Sequence, residues 1–209
     1  MLCCGFVVNR RFASALVLWV LMVSPLVEAR RSGAARTEPI SMIVIHSTGG
    51  PTCDTATGLP IWVPAGKLDE NLQQVEAHPV LGIHYMIDRD GTTRASVPED
   101  QLAHHVFSYS GRSIAVELIN DGDGVDPFPE AQSSALVTLL QDIVRRRGIE
   151  RAGIKRHSDL DHRTLPCDRS RRRKVDPGAA FPFRQIKDRV FDPVAVRSEG
   201  KNAGSSASG

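Results

Sequence analysis

From Ile40 to His46 nearly every position is apolar, β-branched residues dominate, and the run stops at Ser47-Thr48-Gly49-Gly50. That pattern predicts a buried strand. Residues 50–66 are rich in proline and glycine and predict an irregular loop, after which residues 68–77 predict one short helix. Residues 83–97 predict a hairpin, with Asp90-Gly91 as its two-residue turn. From Ser113 to Asn120 the residues alternate. Ile114, Val116 and Leu118 fall on one face of a predicted strand, and Ser113, Ala115 and Glu117 on the other. Leu136, Leu139, Leu140, Ile143 and Val144 recur at i, i+3, i+4, i+7 and i+8, the apolar stripe of a helix running from Pro129 to about Arg147. Pro129 suits its first turn and Gly148 its stop. Arg145, Arg146 and Arg147 suit the negative end of the helix dipole and are expected to be solvated. A short strand leads to Lys155-Arg156-His157, and a last helix is predicted from Phe183 to Val190. Strands interleaved with helices in this way predict an α/β fold: a single domain with a central mixed β-sheet flanked by α-helices.

The two ends fall outside this periodicity. Arg10 and Arg11 precede an apolar run from Phe12 to Leu26, and Val27-Glu28-Ala29 places small residues at −3 and −1 of a cleavage point. Residues 1–29 therefore read as a signal peptide. The run is shorter than the roughly 20 residues of a spanning helix, although an uncleaved anchor is the alternative. Residues 30–38 read as a linker, 39–192 as the folded domain, and 193–209, rich in glycine and serine, as a flexible tail.

Composition narrows the class. The chain is 41% hydrophobic and 24% charged with a net charge of +2, which is neither a disordered composition nor the basic surplus of a protein that grips nucleic acid by bulk electrostatics. Removing the signal peptide takes Cys3 and Cys4 with it and leaves Cys53 and Cys167. In an oxidising compartment such a pair reads first as one disulfide, worth about 4–5 kcal/mol in the chain-entropy treatment of so long a loop. The rival reading makes Cys167 a metal ligand.

Candidate chemistry lies at strand ends, where open sheets place their sites. His46 closes the first strand, His157 follows the last, Glu117 sits on the small-residue face of its strand, and Asp176 sits in Lys174-Val175-Asp176-Pro177-Gly178. Two histidines and a carboxylate leave a fourth position on zinc for water, the catalytic arrangement. Neither H-E-x-x-H nor C-x-x-C is present. On spacing alone a strand-end histidine is more often structural, and the pattern points no further than a zinc hydrolase.

Six segments carry more than this. IVIHST (43–48), GIHYMIDRDGT (82–92), RSIAVELIN (112–120), PEAQ (129–132), HSD (157–159) and KVDPGAAFPF (174–183) occur in this order and span essentially the whole folded unit. In them the chain resembles the N-acetylmuramoyl-L-alanine amidase family, the amidase-2 type that includes T7 lysozyme-like amidases and peptidoglycan recognition proteins. The resemblance implies one zinc ion held by His46, His157 and Asp176, with Glu117 and Lys174 as catalytic residues. The implied reaction is hydrolysis of the amide between N-acetylmuramic acid and L-alanine of the stem peptide. Peptidoglycan or muropeptides would be the partner, the protein a monomer, and its place the periplasm or the extracellular space.

Two features depart from the family pattern. Sixteen residues separate His157 from Lys174, about twice the family spacing, so residues 160–173 read as an insertion. Arg156 stands where a glycine is usual. Asp176 is preferred to Cys167 as third ligand because Lys174 and Pro177-Gly178 accompany it, which frees Cys167 to pair with Cys53. His105 is expected to line the groove and His84 to sit in the hairpin core. Arg112 is expected to contact muropeptide or lie at the surface, and Trp62 to form the groove wall or anchor its own loop. Asp161, His162 and Arg171–Arg173 are expected to be solvated. The alternative function is a non-catalytic peptidoglycan-binding module of the same fold.

Overall fold

The structure is a computed structural model that describes residues 33–192. The segments read as signal peptide and tail lie outside the described residues. Five strands form the main sheet in the order β5-β4-β6-β1-β7, with β1 at Met42–Ser47, β4 at Tyr85–Ile87, β5 at Thr93–Ala95, β6 at Ser113–Leu118 and β7 at Ile154–Arg156. β4, β6, β1 and β7 are parallel and only β5 is antiparallel, so the sheet is mixed as expected. Among the described residues three α-helices accompany it: α1 at Leu68–Ala77, α2 at Glu130–Arg147 and α3 at Phe183–Phe191.

The alternation in β6 divides the two sides of the sheet. Ile114, Val116 and Leu118 join Ile43 and Ile45 of β1 against Leu136, Leu140 and Ile143 of α2 and Ile186 and Val190 of α3. Every residue of that set is buried. At about 1.5–3 kcal/mol for each large aliphatic side chain, this layer supplies most of the hydrophobic stabilisation. The opposite face carries two smaller clusters. One joins Ala115 and Met86 to Leu68 of α1, and the other joins Met42 and Val44 to Val106. The functional side chains stand on this second face.

Several local expectations are refined. Residues 50–66 are not irregular throughout: β2 (Gly50–Cys53) and β3 (Pro60–Val63) form a small antiparallel hairpin. The Asp54 carboxylate closes its turn by accepting the N–H groups of Ala56 and Thr57. A two-stranded ribbon leaves an open edge on each strand, and prolines are tolerated there. The β4–β5 turn takes in three residues rather than two, since Asp88 N–H donates to Thr92 O. Gly91 has φ +89° and stands where a Cβ would lie 2.9 Å from Ala131 O.

Of the C-terminal arginines of α2, Arg145 is solvated as expected, but the other two are engaged. Arg146 and Arg147 converge on Glu99, whose side chain is only 7% exposed. Burial alone would raise the Glu99 carboxyl, but Arg146, Tyr85 and Arg147 together bring it down to about 2. The segment read as a linker is also tied down from residue 33. Ala35 bridges Gln101, and the Arg36 guanidinium donates to the carbonyls of Glu99, Gly111 and Ser113. Among the described residues no helix is long and apolar enough to cross a membrane.

Candidate metal centre and active site

Because β1, β6 and β7 run parallel, their C-terminal ends open on one edge of the sheet. His46 near the end of β1 pairs in register with Glu117 of β6, so the two side chains stand beside each other on the same face. His157 follows β7 directly and opens a 3-10 turn, His157–Asp159, that the Arg156 and Asp159 side chains cap. Asp176 arrives from the far side of the insertion. Its carbonyl accepts the Ser158 N–H at 3.0 Å, and the turn closes with Gly178 N–H donating to Val175 O. Gly178 has φ +92°, and a Cβ there would stand 2.7 Å from Gly122 O, so only glycine lets this arm approach.

Three potential ligand atoms meet at this edge. His46 Nδ1 and His157 Nδ1 are 2.8 Å apart, and Asp176 Oδ2 lies 3.0 Å from the second and 3.3 Å from the first. All three residues are buried. Burial and the neighbouring His157 hold His46 at about 4, so it is a neutral imidazole with a lone pair to offer. Burial alone would raise Asp176, but the imidazoles of His157 and His46 hold it well below the usual carboxylate range. Neutral imidazoles and an ionised carboxylate are the form in which these groups bind metal. Cys167 is joined to Cys53 in a disulfide, which removes it as a competing ligand.

Glu117 and Lys174 line the same cleft, of about 370 Å³, as the three clustered residues. Burial and the negative charge of Asp176 push Glu117 up to about 8, against the opposing pull of Lys174. Part of the Glu117 side chain remains open to the cleft. His105 also lines the cleft, and its Nδ1 lies 2.9 Å from His46 Nε2. Burial first, then His46 and His84, keep His105 well below its ordinary value. His84 is fully buried in the hairpin core, where its Nδ1 accepts the Ala115 N–H.

Trp62 and Arg112 are not among the residues that line the cleft. Trp62 donates its indole N–H to Asp121 O and so anchors its own hairpin, while Arg112 stacks over Tyr109. The insertion contributes more than expected. Asp161 is buried rather than solvated, gripped by Arg163, which donates from Nε and Nη2 to the two carboxylate oxygens, and approached by Arg173. Arg172 donates to the carbonyls of Ser158 and Asp161. Asp161, Arg163, Arg173 and Phe107 line the cleft, and Arg163 lies over the Phe107 ring at 4.4 Å. The pairing of Asp161 with Arg163, two residues on, was the one local sign of this in the sequence.

Residues 36–179 match the Amidase_2 family model, described as N-acetylmuramoyl-L-alanine amidase. The chain is 31% identical over 160 residues to the 1,6-anhydro-N-acetylmuramyl-L-alanine amidase AmpD of Enterobacter cloacae, covering 70% of this chain and 78% of that protein. It is 29% identical over 181 residues to the N-acetylmuramoyl-L-alanine amidase AmiD of Escherichia coli, covering 76% of this chain and 56% of that one. A solved AmiD structure, in complex with the substrate anhydro-N-acetylmuramic acid-L-Ala-D-gamma-Glu-L-Lys, superposes with a TM-score of 0.55 at 25% identity, over 73% of this chain and 58% of that chain. Drosophila peptidoglycan recognition protein SD shares the fold, with a TM-score of 0.50 at 16% identity over 74% of this chain and 83% of that chain. With its parallel strand ends, its His-His-Asp cluster and a family match over most of its length, the chain belongs to the N-acetylmuramoyl-L-alanine amidase family, the amidase-2 type.

Proposed function

We propose that this chain is a zinc-dependent peptidoglycan amidase that hydrolyses the amide between the lactyl group of N-acetylmuramic acid and L-alanine of the stem peptide. The observation that carries the reading is the convergence of His46, His157 and Asp176 with Glu117 and Lys174 in one cleft of an amidase-family domain. The donor set suits zinc. With zinc–ligand bonds of about 2.0–2.1 Å, tetrahedral ligand atoms stand about 3.3 Å apart. The observed separations of 2.8, 3.0 and 3.3 Å lie at or slightly inside that value. Two nitrogens and one oxygen leave a fourth position for water or substrate, as catalytic zinc requires.

When bound, the zinc ion supplies Lewis acidity, which polarises a carbonyl and acidifies a water. The protein's own groups do the remaining work. Glu117 takes the proton of the attacking water and returns it to the leaving amine of L-alanine, the general base and then general acid. Burial raises the Glu117 carboxyl, which favours its holding the proton between the two halves of that cycle. Lys174 stands at the cleft wall as a cation for the oxyanion that develops as the carbonyl is attacked. Val75, Leu81 and Phe107 give the cleft an apolar wall.

The substrate class is peptidoglycan or its muropeptides. Two relatives support the anhydro-muropeptide form, AmpD through its name and AmiD through its bound ligand. The signal-like residues 1–29 and the disulfide support export to the periplasm, with release outside the cell as the alternative destination.

The test is mass spectrometry of products from purified sacculi and from a soluble muropeptide, with chelator and after zinc is restored. Free stem peptide beginning with L-alanine is expected, lost on chelation and regained with zinc. Full activity in metal-free protein overturns the zinc reading. Binding to sacculi without peptide release overturns the catalytic one.

A further inference from the structure

His46 has two ring nitrogens, and only Nδ1 faces His157 and Asp176. For that nitrogen to bind a metal its lone pair must be free, which requires the ring proton on Nε2. Left to itself, an imidazole beside an ionised carboxylate places its proton on the near nitrogen and donates it to the oxygen. A chain of hydrogen bonds on the other side of the ring opposes this.

The chain begins at the Tyr109 carbonyl, which can only accept. Ser113 Oγ lies 2.7 Å from it and donates its single proton there. Its lone pairs then face His105 Nε2 at 3.0 Å, so His105 must donate from Nε2. A neutral imidazole carries one N–H, so His105 Nδ1 bears a lone pair. That lone pair lies 2.9 Å from His46 Nε2, which must be the donor. The sequence of donors therefore has one direction, and it ends with the lone pair of His46 Nδ1 aimed at His157 and Asp176.

The framework around this chain is fixed. Ser113 is fully buried at the start of β6, on the same small-residue face as Glu117. Ser110 Oγ accepts the N–H groups of His105 and Val106 and donates to Val106 O, which pins the loop that carries His105. We propose that Ser113 and His105 are positioning residues: they hold His46 in the Nε2–H tautomer and so keep Nδ1 open for the metal ion. The proposal rests on reading the His-His-Asp cluster as a zinc site. It gives His105, which lines the cleft, the further task of supporting a ligand.

The test uses zinc as the probe and the full soluble protein. Zinc affinity is measured by competition with a chromophoric chelator, beside the absorption spectrum of the cobalt-substituted protein. His105→Phe removes the acceptor and is expected to weaken zinc 10- to 100-fold, the usual effect of losing such a partner. His105→Asn offers Oδ1 in place of Nδ1 and is expected to recover most of that affinity. Ser113→Ala is expected to weaken zinc several-fold, and Ser113→Thr, which keeps the hydroxyl, to restore it. Nitrogen-15 correlation spectra of the wild-type imidazoles should show the proton of His46 on Nε2. If His105→Phe does not fold, the Ser113 pair and the tautomer spectrum decide the matter alone. Wild-type affinity in His105→Phe or Ser113→Ala, equal loss in the Phe and Asn variants, or a proton on His46 Nδ1 overturns the proposal. Absence of zinc binding in the wild type would instead overturn the zinc reading.

Discussion

Replacing Glu117 by glutamine should stabilise the metal-free domain, and the gain should grow with pH. The carboxyl titrates at 4.5 in the unfolded chain and at about 8 in the folded, metal-free protein, raised by burial and by Asp176. Below 4.5 it is protonated in both states and glutamine is a close mimic. Between the two values the unfolded chain has lost a proton that the folded protein retains, so the stability of the parent falls as pH rises. At about 1.36 kcal/mol per pH unit, the full window corresponds to about 5 kcal/mol. Glu117 opens partly on the cleft, where water lowers that cost, so a difference of about 2–4 kcal/mol is the expected reading. The assay is chelator-treated denaturant unfolding of both proteins at pH 4.5 and 8.5. The curves should nearly coincide at the lower pH, with Glu117→Gln the more stable at the higher. A bound zinc ion favours the ionised carboxyl and should narrow the gap, while the variant loses hydrolysis at either pH. A stability difference that does not change with pH, or a variant weaker at pH 8.5, would refute the electrostatic account of this site.

Other expectations are simpler to state. Replacing Cys53 and Cys167 with serine should cost up to about 4–5 kcal/mol of stability by the loop-entropy estimate, read as a lowered denaturant midpoint. Glu99→Ala leaves Arg146 and Arg147 without their shared partner and Tyr85 without its acceptor; because both arginines reach water and Arg146 keeps Asp142, a loss of about 1–3 kcal/mol is expected in thermal or chemical unfolding. Gly178→Ala forces a Cβ toward Gly122 O, so it should weaken zinc binding through Asp176 more than it lowers the unfolding midpoint, as titration calorimetry beside a melting curve would show. Leu140→Ala, on the helix-covered face, should do the reverse: about 2–5 kcal/mol less stability with zinc affinity retained.

The elements that were legible in the sequence are those whose pattern repeats within the element itself. The run from Ile40 to His46, the alternation from Ser113 to Leu118 and the stripe on α2 each state which side is buried. The positions of His46 and Glu117 at strand ends were readable for the same reason, although only the parallel register shows that the two stand side by side. What was illegible depends on partners distant in sequence. Arg146 and Arg147 look like an ordinary solvated helix end until Glu99, 47 and 48 residues away, is folded beneath them. Asp161 looks like a surface acid until the chain doubles back to bring Arg173 beside it. Trp62 carries the composition of a binding residue, yet its indole is committed to Asp121 O. The β2–β3 hairpin was hidden by its prolines, which a two-stranded ribbon accommodates at its open edges.

The strict alternation along β6 gives neighbouring residues different obligations. Val116 and Leu118 answer to α2 and α3, while Glu117 answers to the cleft, Ser113 to the His105 ring and Ala115 to Leu68 of α1. One face can therefore drift under selection for durability while the other drifts under selection for what it cuts, with the backbone as their only shared constraint. For an engineer this means that two libraries can be built on a single strand. Hydrophobic swaps at Ile114, Val116 and Leu118 should retune heat resistance, swaps at Ser113 and Glu117 should retune chemistry, and double-mutant cycles would measure how far the two faces couple through the backbone they share.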